Sequence, residues 1–192
     1  MNQQLSRTSQ YIILMVVVMA AAVAVAQVET IDAIARGTST QLGQQVNIKV
    51  SIDQFSTAED RQALVEAFQK GGHDQLVRTL AKMKAVGRIR LPSNTGYPIA
   101  YAVSIPTPTG RKIRFATDRV LTLYENAQNT RSKQYDVTFG EIEINDKDKN
   151  ASTGVLYPSV KLTVNKQGQV EFNLFRNPWK LTNIIDWTKG KE

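Results

Sequence analysis

The stretch "VNIKVSIDQFSTAEDRQALVEAF", residues 46–68, changes its hydrophobic period halfway along, and this change determines the predicted class of fold. Every second residue from Val46 to Ile52 is apolar, which is the pattern of a β-strand with one buried face. From Leu64 to Phe68 the apolar residues instead have the spacing of one face of a helix. A strand followed directly by an amphipathic helix predicts a mixed α+β fold.

Two short helices are predicted after this first strand. Ser56 and Glu59 have the spacing of a capping box, so the first helix is expected to begin there. Gly71-Gly72 is expected to end it, and a second helix with an apolar stripe over 76–83 is expected to begin near His73. The pair would form a helical hairpin whose apolar faces need a sheet to cover them.

From Val86 onward the sequence has the pattern of β-strands separated by short turns rich in Pro, Gly and Asn. The apolar segments are "VGRIRL", "YPIAYAVSI", "RKIRFATDRVLTLYE", "YDVTFGEIEIN", "VLYPSVKLTV", "VEFNLF" and "LTNIIDW". They predict an antiparallel meander of seven or eight strands that could curl into a barrel or half-barrel, with the helical hairpin packed on it. The strand order does not follow from the sequence.

Side-chain alternation also predicts which faces are buried. The change of phase within "YDVTFGEIEIN" is explained by a β-bulge at Gly140-Glu141. Alternate apolar residues over 156–164 and over 170–174 are expected to point inward. Pro158 cannot donate a hydrogen bond to a ladder, so its strand is expected to lie at an edge or to bend there.

The first 26 residues are predicted to be a signal peptide. Arg7 precedes the uncharged run "YIILMVVVMAAAVAVA", and Ala24-Val25-Ala26 has the small-x-small pattern at which signal peptidase cuts. The run is shorter than the roughly 20 residues that span a bilayer, and an uncleaved anchor is the alternative. Residues 27–45 are expected to be a flexible lead-in and residues 46–192 a single α+β domain. The protein is therefore expected to be exported, to the periplasm or the extracellular space.

Composition excludes several classes of active site. The chain has no cysteine and one histidine, His73, and its net charge is +7. Thiol nucleophiles, thiolate metal centres and sites with several histidine ligands are therefore excluded. No cofactor, metal site or catalytic residue is assigned. The Lys and Arg residues are scattered along the chain, so specific nucleic-acid binding is not expected.

The stretch "IRFATDRVLTLYE", residues 113–125, places an acid beside a base between two apolar runs. The chain is expected to bend at Thr117-Asp118, with the Asp118 side chain accepting from nearby backbone N–H groups. Arg119 has the phase of the buried residues and so needs a carboxylate or backbone oxygens, with Glu141 as the first expected partner. A ligand site is a second interpretation, and its candidate residues are Asp118, Arg119, Tyr101 and Trp179.

Two functions of different classes are compatible with these features. The first is a non-enzymatic domain with a binding or structural role in the bacterial periplasm or cell envelope. Its partner would be an envelope component or a small apolar ligand, and it would meet the membrane only through an uncleaved signal segment. The second is a hydrolase of an envelope polymer that uses paired carboxylates as acid and base. The candidate carboxylates are Asp118, Glu125, Glu141 and Glu143.

Four segments, "GRIRLP", "IAYAV", "ATDRVLTLYE" and "YDVTFGEIEI", resemble an uncharacterised family of exported bacterial proteins with a domain of unknown function. In that family a Gly-Gly helical hairpin precedes an ATDR-like segment, and the resemblance covers residues 46–187. It implies export and a single domain, and it carries no site residues.

Overall fold

Ten β-strands and one long helix make up the described part of the chain. The computed structural model describes residues 28–92, 95–123, 136–165 and 168–188, so the predicted signal peptide lies outside the described residues. The strands are, in chain order, β1 (Glu29–Arg36), β2 (Gln45–Ile52), β3 (Gly87–Arg90), β4 (Tyr97–Ile99), β5 (Tyr101–Thr107), β6 (Gly110–Thr117), β7 (Val137–Asn145), β8 (Thr153–Val164), β9 (Val170–Leu174) and β10 (Trp179–Asp186). The helix α1 (Ala58–Leu80) lies between β2 and β3, and short 3₁₀ helices lie at Ser39–Gln41 and Lys149–Ala151.

The strands form one antiparallel sheet in the order β4-β3-β2-β1-β10-β8-β7-β6-β5, with β9 paired to the second half of β8. Two four-stranded meanders, β1–β4 and β5–β8, are joined because β10 pairs with both β1 and β8. At the two ends of this order, β4 and β5 are separated along the chain only by Ala100, within a segment predicted as one strand. The Ala100 N–H donates to the Ala116 carbonyl (2.9 Å), and the sheet curls into a nearly closed barrel. The predicted antiparallel α+β fold is confirmed in outline, with more strands than expected.

The barrel interior is filled by apolar side chains from every strand except β9. Phe115 and Trp179 are the largest of these, and they are 0% and 1% exposed. A Cβ built on Gly140 would overlap the Phe115 ring, so only glycine fits there. The described interior is therefore lined by one continuous cluster of buried apolar side chains.

A second apolar cluster lies on the outside of the barrel, where α1 covers β5, β6 and β7. Leu80 of α1 is buried against Ala100, Ala116 and Val137. The partly buried residues that pack against this cluster are Leu64, Leu76, Val77, Met83, Tyr101 and Phe139. Alanines at 100 and 116 allow the helix to approach the sheet closely.

α1 differs from the prediction at its start and at its break. The capping box is formed by Thr57 and Asp60, one residue later than predicted: the Asp60 N–H donates to Thr57 Oγ1 (3.2 Å) and the Thr57 N–H to Asp60 Oδ2 (2.9 Å). Gly71 and Gly72 have non-helical backbone angles, with φ of +63° at Gly72, so the predicted break is present. The two segments continue as one kinked helix, however, and the predicted hairpin is wrong.

The residues expected to form a flexible lead-in contain a central strand. β1 pairs with β2 on one side and with β10 on the other, and Ile31, Ala33 and Ala35 face the interior. Alanine has a low preference for strands, so the alternation of this segment was too weak a signal in the sequence. Its place between two partners, which the sequence does not reveal, supplies the stability that its composition lacks.

The change of phase in β7 has a different cause from the predicted bulge. Val137 and Phe139 face outward, toward the cluster under α1, whereas Ile142 and Ile144 face the interior. The outer face of β7 is thus buried in its first half, and the inner face is buried in its second half. The irregularity in its pairing with β8 lies between Val137 and Phe139, opposite Pro158, where β8 was expected to bend.

The prediction that the apolar residues of β9 point inward is wrong. Val170, Phe172 and Leu174 are 55%, 42% and 39% exposed. They lie on a hairpin of β8 and β9 that extends past the barrel.

Within the described residues, no helix is both long enough and apolar enough to span a bilayer.

Candidate functional site

The four residues predicted as a ligand site do not come together. Trp179 lies inside the barrel and is a core residue. Tyr101 is half-buried beside α1 on the outside, where burial raises the pKa of its hydroxyl. Asp118 and Arg119 directly follow β6, near Tyr101 because Tyr101 pairs with Ala116. The sheet therefore separates Trp179 from the other three.

Two threonines hold the bend after β6. Thr138 is fully buried; its Oγ1 accepts from the Leu121 N–H (2.9 Å) and lies within hydrogen-bonding distance of the Arg119 and Pro158 carbonyls (2.9 and 2.8 Å). Thr117 Oγ1 also donates to the Arg119 carbonyl (2.6 Å). The predicted bend is confirmed, and hydroxyl groups, in place of the expected carboxylate, supply its bonds.

Asp118 and Arg119 pair with each other. Arg119 Nε donates to Asp118 Oδ1 at 3.2 Å, and the Arg119 side chain is 56% exposed. The expected pairing of Arg119 with Glu141 is wrong, because the bend removes Arg119 from the phase of the buried residues. An exposed ion pair between neighbours contributes little to stability.

The described carboxylates among those predicted for hydrolysis form ion pairs with Lys and Arg side chains. Arg114 Nε donates to Glu141 (2.7 Å), and Lys112 Nζ lies 3.2 Å from Glu141 and 3.4 Å from Glu143. Burial raises the pKa of Glu141, but its hydrogen bonds with Arg114 and Lys112 and their charges outweigh burial and lower it. A general acid needs a pKa raised toward neutrality, so Glu141 is unsuited to that role. The ion pairs of Glu141 and Glu143 join β6 to β7. Glu125 lies outside the described residues.

A partly buried charge cluster lies at one end of the barrel interior. Arg111 of β6 lies 2.7 Å from Asp186 of β10, 3.2 Å from Glu29 of β1 and 4.0 Å from Asp146. Burial raises the pKa of Asp186, but hydrogen bonds with Thr188 and the charge of Arg111 outweigh burial and lower it. Asp186 is therefore an ionised partner of the Arg111 guanidinium, and the contacts of Arg111 with β1 and β10 are suited to holding strands together.

His73 fills a structural position at the break in α1. It is 5% exposed, and its Nδ1 accepts from the Leu162 N–H of β8 (3.1 Å). β7 pairs with β8 only as far as Val160, because β7 begins at Val137. No described strand therefore pairs with Leu162 on that side, and the imidazole accepts from the Leu162 N–H instead. Burial lowers the pKa of His73; the charges of Asp74 and Asp136 raise it, and Lys161 lowers it further. The hydrogen bond requires the neutral ring.

A basic face covers the outside of β3, β2, β1 and β10. Because alternate residues of these strands fill the interior, their neighbours point outward. The basic face consists of Arg36, Lys49, Arg88, Arg90 and Lys180. All are exposed except Arg88, which is half-buried and donates to the Thr95 and Gly96 carbonyls.

Cross-strand neighbours form a row across this face. The row runs Arg90, Lys49, Asp32, Ile185, from β3 to β10. Lys49 Nζ lies 3.3 Å from Asp32 Oδ1, and Trp187 Nε1 donates to Asp32 Oδ2 (2.9 Å). Trp187 is 53% exposed and Ile185 48% exposed. The face thus passes from cationic to apolar and aromatic within four strands.

A groove of about 640 Å³ lies in the basic face. Its polar lining residues are Asp32, Asn47, Lys49, Arg90 and Asn183, and its apolar ones include Ile34, Leu91, Pro92 and Ile185. Asn183 has a φ of +51°, and the pairing of β1 with β10 is irregular beside it. This left-handed residue bends β10 at the edge of the groove.

The sequence alone does not reveal the basic face. Its members are scattered from residue 36 to residue 180 and form no charge run. Alternation does place Lys49 outward in "VNIKVSI", and Arg88 and Arg90 outward in "VGRIRL". The strand order, which brings β2, β3, β1 and β10 side by side, is the missing information.

Comparisons with protein-family models, with curated proteins and with solved structures found no match to this chain.

Proposed function

We propose that this chain is an exported, non-enzymatic domain of the bacterial cell envelope that binds an anionic polysaccharide in the groove of the basic face. Lys49 and Arg90 would pair with carboxylate, sulfate or phosphate groups. The amides of Asn47 and Asn183 would bond hydroxyl groups, and the exposed Trp187 ring beside the groove would pack against a sugar ring.

Like charges that lie directly opposite each other on neighbouring strands are the observation that carries the proposal. Lys49 pairs directly with Arg90 across β2 and β3, and Arg36 with Lys180 across β1 and β10. Like charges directly opposite each other destabilise a sheet. Asp32 offsets one of these pairs only in part, because it also accepts from Trp187. An anionic ligand would relieve the remaining repulsion, and this favours a polyanion over a neutral partner.

The state of the acidic side chains supports a non-enzymatic role. The pKa values of Glu141 and Asp186 are lowered by basic and hydrogen-bonding neighbours, and Asp118 is paired with Arg119. Export is proposed from the apolar run before Gln27, which has the character of a signal peptide.

Titration calorimetry with a size-defined heparin oligosaccharide would test this function. We expect binding that weakens steeply as salt is added, because ion pairs form on binding. A neutral dextran oligosaccharide of the same length should bind much more weakly. The double variant Lys49→Gln/Arg90→Gln should lose affinity by about tenfold or more, given about 1 kcal/mol or more for each charge-assisted contact.

The matched control removes the same charge elsewhere. Lys70 and Arg78 are exposed on α1, away from the basic face, so Lys70→Gln/Arg78→Gln should leave the affinity unchanged. Equal loss in both double variants would reduce the interaction to net charge and contradict a specific groove. Failure of the unaltered protein to bind at low salt would overturn the proposal outright.

A further inference from the structure

The hairpin of β8 and β9 carries an exposed apolar face. Ten large apolar residues are exposed in the described part of the chain, and half of them lie on or beside this hairpin: Val164, Val170, Phe172, Leu174 and Phe175. Phe172 is the centre of the face, with ring centroids 5.2 Å from Phe139 and 5.7 Å from Tyr157. The opposite face of β9 is polar, with Glu171 and Asn173. A strand with one apolar face exposed at a sheet edge is a site of association.

The hydrogen-bond pattern shows which way the main chain of β9 points. At one end of the ladder the Asn165 N–H donates to the Gln169 carbonyl, and at the other the Phe175 N–H donates to the Ser159 carbonyl. Bonded and non-bonded pairs alternate along an antiparallel ladder. The pairs 163–171 and 161–173 are therefore bonded, whereas 164–170, 162–172 and 160–174 are not.

The N–H and C=O groups of Val170, Phe172 and Leu174 consequently point away from β8. The Leu162 N–H, which is directed to His73, fits this alternation because it points away from β9. Among the described strands, only β8 pairs with β9. The far edge of β9 thus offers three outward main-chain positions next to an exposed apolar face.

We propose that β9 pairs antiparallel with β9 of a second copy of this chain, about a twofold axis at Phe172. Val170 of each copy would then lie opposite Leu174 of the other, and the two Phe172 residues would lie opposite each other. The three outward positions are bonded positions in both copies, so this register forms a continuous ladder of six main-chain hydrogen bonds.

The side chains on both faces suit this register. On the apolar face a row runs Leu162, Phe172, then Phe172 and Leu162 of the second copy, without a polar interruption. On the polar face Glu171 lies opposite Asn173 of the second copy, so no like charges oppose each other. A second copy accounts for the hairpin better than an unrelated strand, because an edge that is complementary to itself under twofold rotation needs no other partner.

Sedimentation velocity of the protein in its exported form tests the proposal. We expect a dimer with a dissociation constant on the order of micromolar, as befits a small interface. Val170→Pro should raise that constant at least tenfold, because proline removes an outward N–H and its ring blocks the approaching strand. Proline is tolerated at an edge where the N–H faces solvent, so pairing with β8 should persist.

A second variant and a control keep the outcome clear. Val170→Lys/Leu174→Lys would place like charges opposite each other at both ends of the shared ladder and should likewise give a monomer. Val28→Lys changes a 52% exposed residue just before β1, at the end of the barrel where Arg111 contacts Glu29, and should leave the dimer intact. A monomeric unaltered protein, or a dimer that survives both β9 variants, would overturn the proposal.

Discussion

Thr138 shows how much of this fold depends on single buried hydroxyl groups. Its Oγ1 lies among the backbones of Arg119, Leu121 and Pro158, which belong to the bend after β6 and to β8. No charged residue in the neighbourhood has this role, although the sequence draws attention to Asp118 and Arg119. At the residue scale, the fully buried Thr138 holds the bend, whereas the exposed ion pair of Asp118 and Arg119 contributes little to its stability.

The substitution Thr138→Val should lower the free energy of unfolding by about 1–2 kcal/mol, because the buried hydroxyl makes hydrogen bonds as both acceptor and donor. Valine has nearly the same shape but makes neither bond, and it leaves the Leu121 N–H with the Pro158 carbonyl (3.1 Å) as its remaining acceptor. Chemical denaturation followed by tryptophan fluorescence would measure the change. Thr163→Val, on the partly exposed polar face of the β8–β9 hairpin, is the control and should change stability by less than about 0.5 kcal/mol. Equal effects would show that the Thr138 hydroxyl has no special role.

At the scale of elements, the sequence predicts well wherever one face of a segment is uniformly apolar. β2 is such a strand, and the helical stripe of α1 and its glycine break are also recovered. Prediction fails where a strand is buried on both faces in turn, as in β7, or where a strand such as β1 owes its stability to two neighbours. Burial of β9 was predicted from its pattern alone, although its apolar face is covered only in part, by the rings of Phe139 and Tyr157. In each case the missing fact is which element lies alongside.

The contact between α1 and β8 through His73 should make stability depend on pH. The pKa of His73 is lowered in the folded protein from 6.5, chiefly by burial, so below that value the unfolded chain binds a proton that the folded chain does not. The stabilisation is therefore complete above about pH 7 and is lost as pH falls through 6.5 and below. Asp74, Asp136 and Lys161 are the charged groups that act on the ring.

Thermal unfolding between pH 8 and pH 5 would measure this dependence. His73→Asn keeps an acceptor for the Leu162 N–H but does not titrate, so the variant should lose less stability over that range than the unaltered protein. The pKa of Asp136 is raised, mainly by burial, and its protonation acts in the opposite direction at lower pH. Parallel curves for the two proteins would contradict a role for His73.

At the scale of the whole molecule, Arg111 joins strands that are far apart in the sheet. It extends from β6 to carboxylates at the first residue of β1 and the last residue of β10. β8 and β7 separate β10 from β6 in the sheet order, so these contacts cross the barrel interior. The sequence contains all of these residues but gives no sign that they meet, because strand order and closure bring them together. The basic face is hidden for the same reason.

The substitution Arg111→Leu should cost about 2–3 kcal/mol, between the values for exposed and fully buried ion pairs, because it leaves Glu29 and Asp186 partly buried without their cation. Arg114→Leu, two residues along the same strand, is the matched control: its side chain is 45% exposed, and removal of its bond with Glu141 should cost about 1 kcal/mol or less. Denaturant unfolding would compare the two. A similar, small loss in both variants would show that Arg111 is not what closes this end of the barrel.

The place of β10 between β1 and β8 has a consequence for how the chain reaches its native state. The Thr30 N–H donates to Thr188 Oγ1 across a separation of 158 residues, and the Arg36 side chain donates to that of Thr182 across 146. Contacts between residues so far apart in the sequence cost a large loop-closure entropy before the stabilising interactions form, so folding should be slow. Each meander can form locally, but neither can join the other until β10 has been synthesised. Completion of the sheet therefore waits for β10, however early the two meanders form.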